Sequence, residues 1–266
     1  SADAVIYDSR IHASLKDGLK LSGAQGFAFR HNDLDHLEWR LKRLKSKAPF
    51  VLTESINSMS GATLDVARTA DLCHRYGARL VVDEAHSCGV IGPDGKGAVV
   101  AAGCEQAVFA RTVTFGKAFG AQGAVVLAAP ETVALMVNFA HSFVYSTAMP
   151  PWQVSLLLAA YELLPSLGPQ RQQLERHIQC FCRAMAQMPL DHLTDSKTAI
   201  QPIKAAPEQL IAAEGYLQQR GIDVRKILSP TVRKGEEQLR VILHAHNTDA
   251  ELKTLCQQLE VALWQA

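Results

Sequence analysis

The sequence predicts an α/β protein with a large domain built on a mostly parallel sheet and a smaller α+β domain after it. Up to about residue 140, short runs of β-branched and aliphatic residues alternate with segments of helical periodicity, which is typical of successive βαβ units. Pro150 and Pro151 then interrupt the pattern, and a long helical segment followed by alternating strands and helices comes after them. We therefore expect a large domain over residues 1–150 and a small domain over residues 151–266.

The elements of the large domain follow from short apolar runs and from helix start and stop signals. Asp33 is placed to cap the N-terminus of one helix, and Gly77 is placed to end another. The predicted strands are Ala4–Tyr7, Phe50–Thr53, Leu80–Val82, Thr112–Thr114 and Ala124–Leu127, and the predicted helices between them are Asp33–Leu44 and Leu64–Tyr76.

The small domain begins with a long segment of helical periodicity. Shorter strands and helices alternate after it, in the pattern of an α+β layer. The helical stretch runs from about Trp152 to Met188, the predicted helices after it are Pro207–Gln219 and Asp249–Trp264, and the predicted strands are Ala199–Ile203, Ile222–Val224 and Leu239–Leu243.

Composition and charge bear on the partners, the compartment and the metal sites that we expect. The 266 residues carry 27 Lys and Arg against 26 Asp and Glu, so no strong field favours nucleic acid or an anionic membrane surface, and we expect neither partner. The longest apolar stretches fall short of the roughly 20 residues needed to cross a bilayer. The 6 cysteines include no C-x-x-C pair, which favours a reducing, cytoplasmic compartment and no metal site.

The segment Leu80–His86 places an acid at the end of a buried strand. Ligands of parallel α/β sheets lie beyond the carboxyl ends of the strands, so Asp83 is positioned for a ligand. Asp-Glu-Ala-His is also an acidic motif of nucleotide-driven helicases, but that function requires a phosphate-binding loop upstream, and none is present. An N-cap role for Asp83 without a ligand is the plainer alternative.

A lysine follows another predicted strand end, in Thr114-Phe115-Gly116-Lys117. Small neighbours let a planar cofactor approach the backbone, and a desolvated lysine can form a Schiff base. Most single lysines are only solvated surface charges. Together, however, Lys117 and Asp83 supply what pyridoxal 5'-phosphate needs, an amine for its aldehyde and a carboxylate for its pyridine nitrogen.

Several separated motifs resemble, in order, those of the α-oxoamine synthases, which are pyridoxal-phosphate enzymes of the aspartate aminotransferase fold, fold type I. The resemblance covers nearly the whole chain. Its motifs are His12-Ala13-Ser14, Phe29-Arg30-His31-Asn32-Asp33, Glu54-Ser55-Ile56-Asn57-Ser58-Met59, Val82-Asp83-Glu84-Ala85-His86, Thr114-Phe115-Gly116-Lys117 and Tyr145-Ser146-Thr147-Ala148-Met149-Pro150-Pro151.

This resemblance implies a role for each matching residue. Lys117 would hold the cofactor as an imine and serve as general base, and Asp83 would keep the pyridine ring protonated. His12 would stack on the ring. The remaining cofactor contacts implied are His86 and Ser58 near the phenolic oxygen, and Thr114 with Thr147 of a partner subunit at the phosphate; Arg240 and Thr231 would bind substrate.

The implied reaction is a decarboxylative condensation of L-alanine with a pimeloyl thioester, carried on coenzyme A or on acyl carrier protein, by a homodimer. The alternatives within the family condense glycine with an acetyl or succinyl thioester, or serine with a long acyl chain. A catalytically silent fragment that serves as an interaction module is an alternative of another class. Because members of the family carry on the order of a hundred further residues before the first of these motifs, about a domain's worth, the resemblance also implies that an N-terminal region is missing.

Overall fold

The computed structural model describes residues 4–44, 48–188 and 195–264. Two compact units make up the chain. The first comprises Ser1–Asn57 with Thr63–Leu167, and the second comprises Ser58–Ala62 with Gly168–Ala266.

The first unit contains a six-stranded sheet in the order β2-β1-β3-β4-β5-β6. Neighbouring strands from β2 to β5 are parallel, and β6 runs antiparallel to β5 at one edge. The predicted α/β class with a mostly parallel sheet is thus confirmed. The strands are β1 (Val5–Asp8), β2 (Gly26–Phe29), β3 (Phe50–Glu54), β4 (Arg79–Asp83), β5 (Ala110–Thr114) and β6 (Ala124–Ala128).

Helices of the first unit lie between its strands and after the last of them. They are α1 (Ala13–Ser22), α2 (Leu34–Arg43), α3 (Val66–Arg75), α4 (Ala98–Ala101), α5 (Pro130–Phe139), α6 (His141–Val144) and α7 (Pro151–Leu163), with a 3₁₀ turn at Pro93–Gly95. The predicted cap is confirmed, since the Asp33 carboxylate accepts the His36 N–H (2.8 Å) at the start of α2.

The apolar core of this unit lies between the sheet and helices α2 and α3. Helix α3 turns Val66, Ala70 and Cys73 inward at helical spacing, and central strand residues such as Val51 and Val82 are fully buried. Four-residue β2 and helices α1 and α5 were not among the predicted elements. Neither helix has a buried residue, so no apolar stripe marks either of them in the sequence.

The predicted helical stretch from about Trp152 to Met188 is helical, but it is divided in two by a 3₁₀ turn. Pro165 has no N–H to donate to a carbonyl four residues earlier, so α7 ends at Leu163 and a 3₁₀ turn, Leu164–Leu167, follows. A new helix, α8 (Gly168–Met185), begins in the second unit. Helix α7 packs in the first unit, where Leu157 contacts the cluster formed by Val113 and Phe115. As a division of functional domains, the boundary after residue 150 stays a prediction.

The second unit is a three-stranded antiparallel sheet, in the order β7-β9-β8, with helices around it. The predicted strand Ile222–Val224 is wrong. The paired residues follow it, and buried Val224 contributes to the core instead. The elements are β7 (Ile200–Lys204), α9 (Pro207–Gln218), β8 (Arg225–Ile227), β9 (Gln238–Ile242) and α10 (Asp249–Trp264).

The short segment Ser58–Ala62 belongs to the second unit although both its flanks belong to the first. Its backbone is held by side chains of the second unit: Gln238 Nε2 donates to the Met59 carbonyl (2.8 Å), and Thr198 Oγ1 donates to the Gly61 carbonyl (3.2 Å). Gly61 has φ +67°, and a Cβ there would stand 2.4 Å from the Ile200 carbonyl oxygen, so the segment tolerates only glycine at this point.

Within the described parts of the chain, no helix is both long and apolar enough to span a membrane.

Candidate active site

The carboxyl ends of the five parallel strands meet at one edge of the six-stranded sheet. Four of these strands end in a polar residue, Asp8 (β1), Glu54 (β3), Asp83 (β4) and Thr114 (β5). Asp83 is opposite Glu54 of β3 on one side and Thr112 of β5 on the other, so its strand, β4, is flanked by a strand on each side. This is the position at which α/β sheets bind ligands.

Asp83 begins a tight turn that fixes its carboxylate. Its Oδ1 accepts the Ala85 N–H (2.9 Å), and its main-chain carbonyl accepts both the N–H (2.9 Å) and the hydroxyl (3.1 Å) of Ser55. The side chain is half-buried at the edge. His86 follows in the same turn and is also half-buried, so the structure brings these two predicted cofactor contacts together.

The neighbouring acid, Glu84, points into the protein and has its own partners. It is fully buried, forms an ion pair with Arg111, and accepts hydrogen bonds from the Val99 N–H (3.0 Å) and the Ser87 hydroxyl (3.0 Å). A buried carboxylate with a cation and two donors is a structural anchor. Of the two adjacent acids, Asp83 is therefore the one directed to the edge.

Lys117 lies in the loop between β5 and β6, and its side chain is exposed. The loop is closed by backbone hydrogen bonds from the Phe115 N–H to the Gly123 carbonyl (2.9 Å) and from the Gly120 N–H to the Lys117 carbonyl (3.0 Å). Gly89 has φ +85°, and a Cβ there would stand 2.5 Å from the Cβ of Ala118. The Lys117 loop thus contacts the segment that follows Asp83, and only glycine permits this approach.

Thr114 provides an unsatisfied polar atom at the same edge. Its Oγ1 is buried and has no hydrogen-bond partner among the described residues. A buried hydroxyl without a partner costs free energy, and an anionic oxygen would satisfy it. Amine, carboxylate and unpartnered hydroxyl together are the groups that a pyridoxal phosphate requires, so the residues present fit this cofactor.

His12 caps helix α1 directly after strand β1. Its Nδ1 lies 3.3 Å from the Ser14 N–H and 2.8 Å from the Ser14 hydroxyl, which places Nδ1 as the acceptor of the backbone N–H. His12 is exposed and lies four residues after the end of β1. Helix capping alone explains the hydrogen bonds of His12, but it leaves the faces of the imidazole available.

Thr147 and its neighbours form an exposed, irregular segment between α6 and α7. Tyr145, in the same segment, is 79% exposed. The predicted contact of Thr147 with a phosphate in a second copy of the chain stays a prediction.

The remaining predicted residues, Ser58, Thr231 and Arg240, belong to the second unit. Ser58 is buried and Thr231 is exposed. Arg240 lies on β9 directly opposite Arg225 of β8, and its Nε is buried with no partner among the described residues. Burial lowers the pKa of the Arg240 guanidinium. Because Arg225 pairs with Asp223 (3.2 Å) and no acid of the described segments pairs with Arg240, this position favours an anionic ligand.

Comparison with known proteins identifies the family. Residues 1–259 match the family described as aminotransferase class I and II. The chain belongs to this family. It is 36% identical over 250 residues to 8-amino-7-oxononanoate synthase of Anaeromyxobacter dehalogenans, covering 94% of this chain and 63% of that protein. It is also 36% identical to the enzyme of that name from Chromohalobacter salexigens, covering 97% of this chain and 69% of that protein.

Solved structures agree with the fold. A serine palmitoyltransferase of Sphingomonas wittichii superposes with a TM-score of 0.93 at 26% identity, over 98% of this chain and 66% of that one. An SPT structure with a PLP internal aldimine gives a TM-score of 0.92 at 27% identity, over 98% and 67%. The 8-amino-7-oxononanoate synthase of Francisella tularensis gives 0.84 at 28% identity, over 97% and 74%.

The family match and the likeness to these synthases and this palmitoyltransferase confirm the resemblance drawn from the motifs and the predicted fold type. The chain spans 63% of the length of the Anaeromyxobacter relative. Sequence reasoning missed the polar groups that support the site, Asp8 with His31 and Glu84 with Arg111. Asp8 carried a usable signal, since it ends a buried strand as Asp83 does. Arg111 carried none, because its partner lies 27 positions away in the sequence.

Proposed function

We propose that this protein is a pyridoxal-phosphate-dependent acyltransferase that condenses L-alanine with a pimeloyl thioester and releases carbon dioxide, the 8-amino-7-oxononanoate synthase reaction of biotin biosynthesis. The observation that supports it is the joint placement of Asp83, Lys117 and the unsatisfied hydroxyl of Thr114 at one sheet edge. Relatives of this name at 36% identity support the choice of reaction.

The chemistry depends on a few groups of this chain. When bound, pyridoxal phosphate supplies an electrophilic aldehyde and an electron-withdrawing pyridinium ring. The Lys117 amine would hold the cofactor through its aldehyde and would act as general base for the proton of the substrate α-carbon. The Asp83 carboxylate holds the proton on the ring nitrogen, which keeps the ring able to withdraw electrons.

Other residues orient the cofactor. His12 would cover one face of the ring, and the hydrogen bond of its Nδ1 to Ser14 restricts the orientation of the imidazole. His86 and Ser58 would hold the phenolic oxygen. Thr114 would donate its hydroxyl to the phosphate, and Thr147 of a second copy would complete the phosphate contacts.

Arg240 binds the substrate carboxylate and Thr231 assists it. The planar guanidinium offers two parallel N–H groups to a carboxylate, and such a pair is stronger than a neutral hydrogen bond. The buried, unpartnered Nε of Arg240 supports this role, because an anion would satisfy it. The acyl group arrives on coenzyme A or on acyl carrier protein.

A homodimer is part of the proposal. Helix α5 has no buried residue, and Phe139 and Trp152 are 72% and 68% exposed. Large exposed apolar surfaces mark association sites. The exposed apolar residues of segment 133–158 are Val133, Leu135, Val137, Phe139, Phe143, Val144, Tyr145, Met149, Trp152, Val154, Leu156 and Leu158. Small-molecule substrates, a cytoplasmic location and no nucleic-acid or membrane partner complete the proposal.

The test is to trap the cofactor on its lysine. The purified full-length protein is mixed with pyridoxal phosphate, its visible absorbance is recorded, and the imine is reduced with borohydride for peptide mapping. We expect a visible band and a mass label on Lys117. Lys117→Ala should lose both and lower turnover by at least about a thousandfold, and Lys20→Ala, which removes another exposed lysine of this unit, should change neither.

A label on a different lysine, or no label in the full-length protein, would contradict the assignment. Turnover is then measured with L-alanine, glycine and L-serine, each against pimeloyl, acetyl, succinyl and palmitoyl thioesters. Preference for L-alanine and the pimeloyl group supports the proposal. The likeness to serine palmitoyltransferase, with a TM-score of 0.93, favours serine with a long acyl chain as the second candidate.

A further inference from the structure

A buried carboxylate, Asp8, lies at the end of strand β1 and takes part in none of the roles proposed above. Its side chain accepts four hydrogen bonds from three residues. Oδ1 accepts the Arg10 N–H (2.8 Å) and Oδ2 accepts the Asn32 N–H (2.8 Å), and His31 Nδ1 lies 3.0 Å from both oxygens. Asp8 therefore joins the turn after β1 to the turn after β2.

The charge state of this cluster follows from its surroundings. Burial on its own raises the pKa of the Asp8 carboxyl, but the hydrogen bond and charge of His31 and the N–H groups of Arg10 and Asn32 outweigh it and lower the pKa. An ionised carboxylate can only accept, so His31 Nδ1 carries the hydrogen and donates it. The His31 side chain is 19% exposed, which limits competition from water.

The same cluster fixes the path of the chain to His12. The Asp8 main-chain carbonyl accepts the Ile11 N–H (3.1 Å), and Asn57 Nδ2 donates to the Arg10 carbonyl (3.0 Å). Ile11 is buried. Each residue between the end of β1 and His12 is thus held by a side chain, by a backbone bond or by burial in the core, and helix α1 begins from a fixed point.

We propose that Asp8 and His31 are positioning residues that hold His12 at the height and angle at which its ring covers the cofactor. This inference rests on the proposed function, since His12 contacts a ring only if pyridoxal phosphate binds. It also assigns a purpose to the motif Phe29-Arg30-His31-Asn32-Asp33, which the proposed reaction leaves without one. Asp8 and His31 act through His12 and touch no reacting atom.

The first experiment uses the cofactor-free, full-length protein and needs no activity. Amide hydrogen exchange is followed for residues 9–14 and for Asn32. Asp8→Asn and His31→Ala should each speed exchange there about tenfold, because each leaves the cluster without a charge-assisted hydrogen bond. His31→Asn keeps an amide donor where Nδ1 stands and should retain most of the protection. Val51→Ala, a core change in β3, should lower the unfolding temperature without this local effect.

The second experiment measures the cofactor itself. Visible circular dichroism and the dissociation constant of pyridoxal phosphate are recorded for the parent, Asp8→Asn, His12→Ala and the double variant. Asp8→Asn should weaken binding about tenfold and change the dichroism, but in the His12→Ala background it should change neither. An equal effect of Asp8→Asn in both backgrounds would overturn the positioning role.

The two proposals fail in different ways. If exchange of residues 9–14 is unaffected by Asp8→Asn, the positioning proposal is wrong whether or not the cofactor binds. If exchange responds but neither the parent nor any variant binds pyridoxal phosphate, the proposed function is wrong, and the positioning proposal falls with it because His12 then has no ring to cover.

Discussion

Two regions of the first unit differ in how far their apolar side chains are buried. In residues 4–114, helices α2 and α3 pack their apolar faces against the sheet, and Leu37 is fully buried. In residues 124–163, α5 buries nothing, α7 buries only Gln153 and Leu157, and Trp152 is 68% exposed. The first region has its own core, whereas the second presents apolar surface that a second surface has to cover.

The difference shows that hydrophobic content alone does not locate a core. Helix α7 is more apolar than α3, yet it lacks the one-sided spacing that α3 has. A helix that is apolar all round is typical of a segment buried between surfaces. The region 124–163 therefore has the exposed apolar pattern that the proposed homodimer interface requires, and the region 4–114 has the pattern of a layer with its own core.

The largest effect expected from this comparison is on stability. Leu37→Ala leaves a cavity in the core of α2 and should lower the free energy of unfolding by about 2–5 kcal/mol. Leu158→Ala, the same change at a side chain that is 59% exposed, should alter it by less than about 0.5 kcal/mol under conditions in which the chain is monomeric. Urea unfolding at low protein concentration measures both. Similar losses in the two variants would show that the second region is already covered within one chain.

The next effect is on self-association. Trp152→Ser removes a large apolar side chain from the exposed surface and should weaken a homodimer by about 2 kcal/mol, or roughly thirtyfold in its dissociation constant. Analytical ultracentrifugation over a range of concentrations measures this. Leu21→Ser on α1 is the matched control, because Leu21 is equally apolar and 89% exposed but lies outside the region. Equal dissociation in both variants would argue against this surface as the interface.

A smaller effect is expected on the pH dependence of stability, which should depend on Asp8 in the first region and not on the apolar second region. The pKa of Asp8 is lower in the folded protein than its ordinary value of 3.8, so its ionised form stabilises the fold above that value. This stabilisation is lost as the pH falls from the unfolded pKa through the folded one. Asp8→Asn should remove this part of the loss of stability that follows as the pH falls below about 3.8, whereas Trp152→Ser should leave it unchanged. Unfolding curves at several pH values test this.

The smallest effect compares two buried thiols. Burial raises the pKa of both Cys73 in α3 and Cys88 beside Leu157 of α7 to about 12, so neither thiol reacts readily in the folded state. Because Cys88 is covered from one side by α7, we expect it to react with a thiol reagent several times faster than Cys73, and exposed Cys180 to react first. Mass spectrometry of partly labelled protein gives the order. Cys73 reacting before Cys88 would reverse the ranking of the two regions.

Sequence reasoning predicted the parts that depend on local pattern. The strands that end in Asp83 and Thr114 were predicted because buried strands are short apolar runs, and the Asp33 cap because capping is a local interaction. The exposed helix α5 was missed because it lacks the amphipathic pattern that prediction needs. Strand β8 was misplaced because antiparallel pairing with β9, rather than apolar content, selects Arg225–Ile227.

The same distinction between local pattern and distant contacts applies to the residues of the candidate site. Asp83, Lys117 and Thr114 each sit where a strand ends, so their shared edge follows from the order of the elements. The contact of Gly89 with Ala118 and the Asp8 to His31 pair bring together residues that are distant in the sequence. These contacts depend on how whole loops pack against one another. No short pattern in the sequence encodes that packing.

The segment Ser58–Ala62 limits how the protein can be divided or recombined. A fragment that starts at Gly168 would lack the Met59 and Gly61 carbonyls, and Gln238 and Thr198 would lose the acceptors they have here. A chimera that exchanges the second unit with that of a relative must therefore transplant two stretches of sequence, since a single crossover point after residue 167 would combine side chains and backbone of different parents. Residues 58–62 and 168–266 should therefore be kept or exchanged together in any fusion, split or truncated form of this chain.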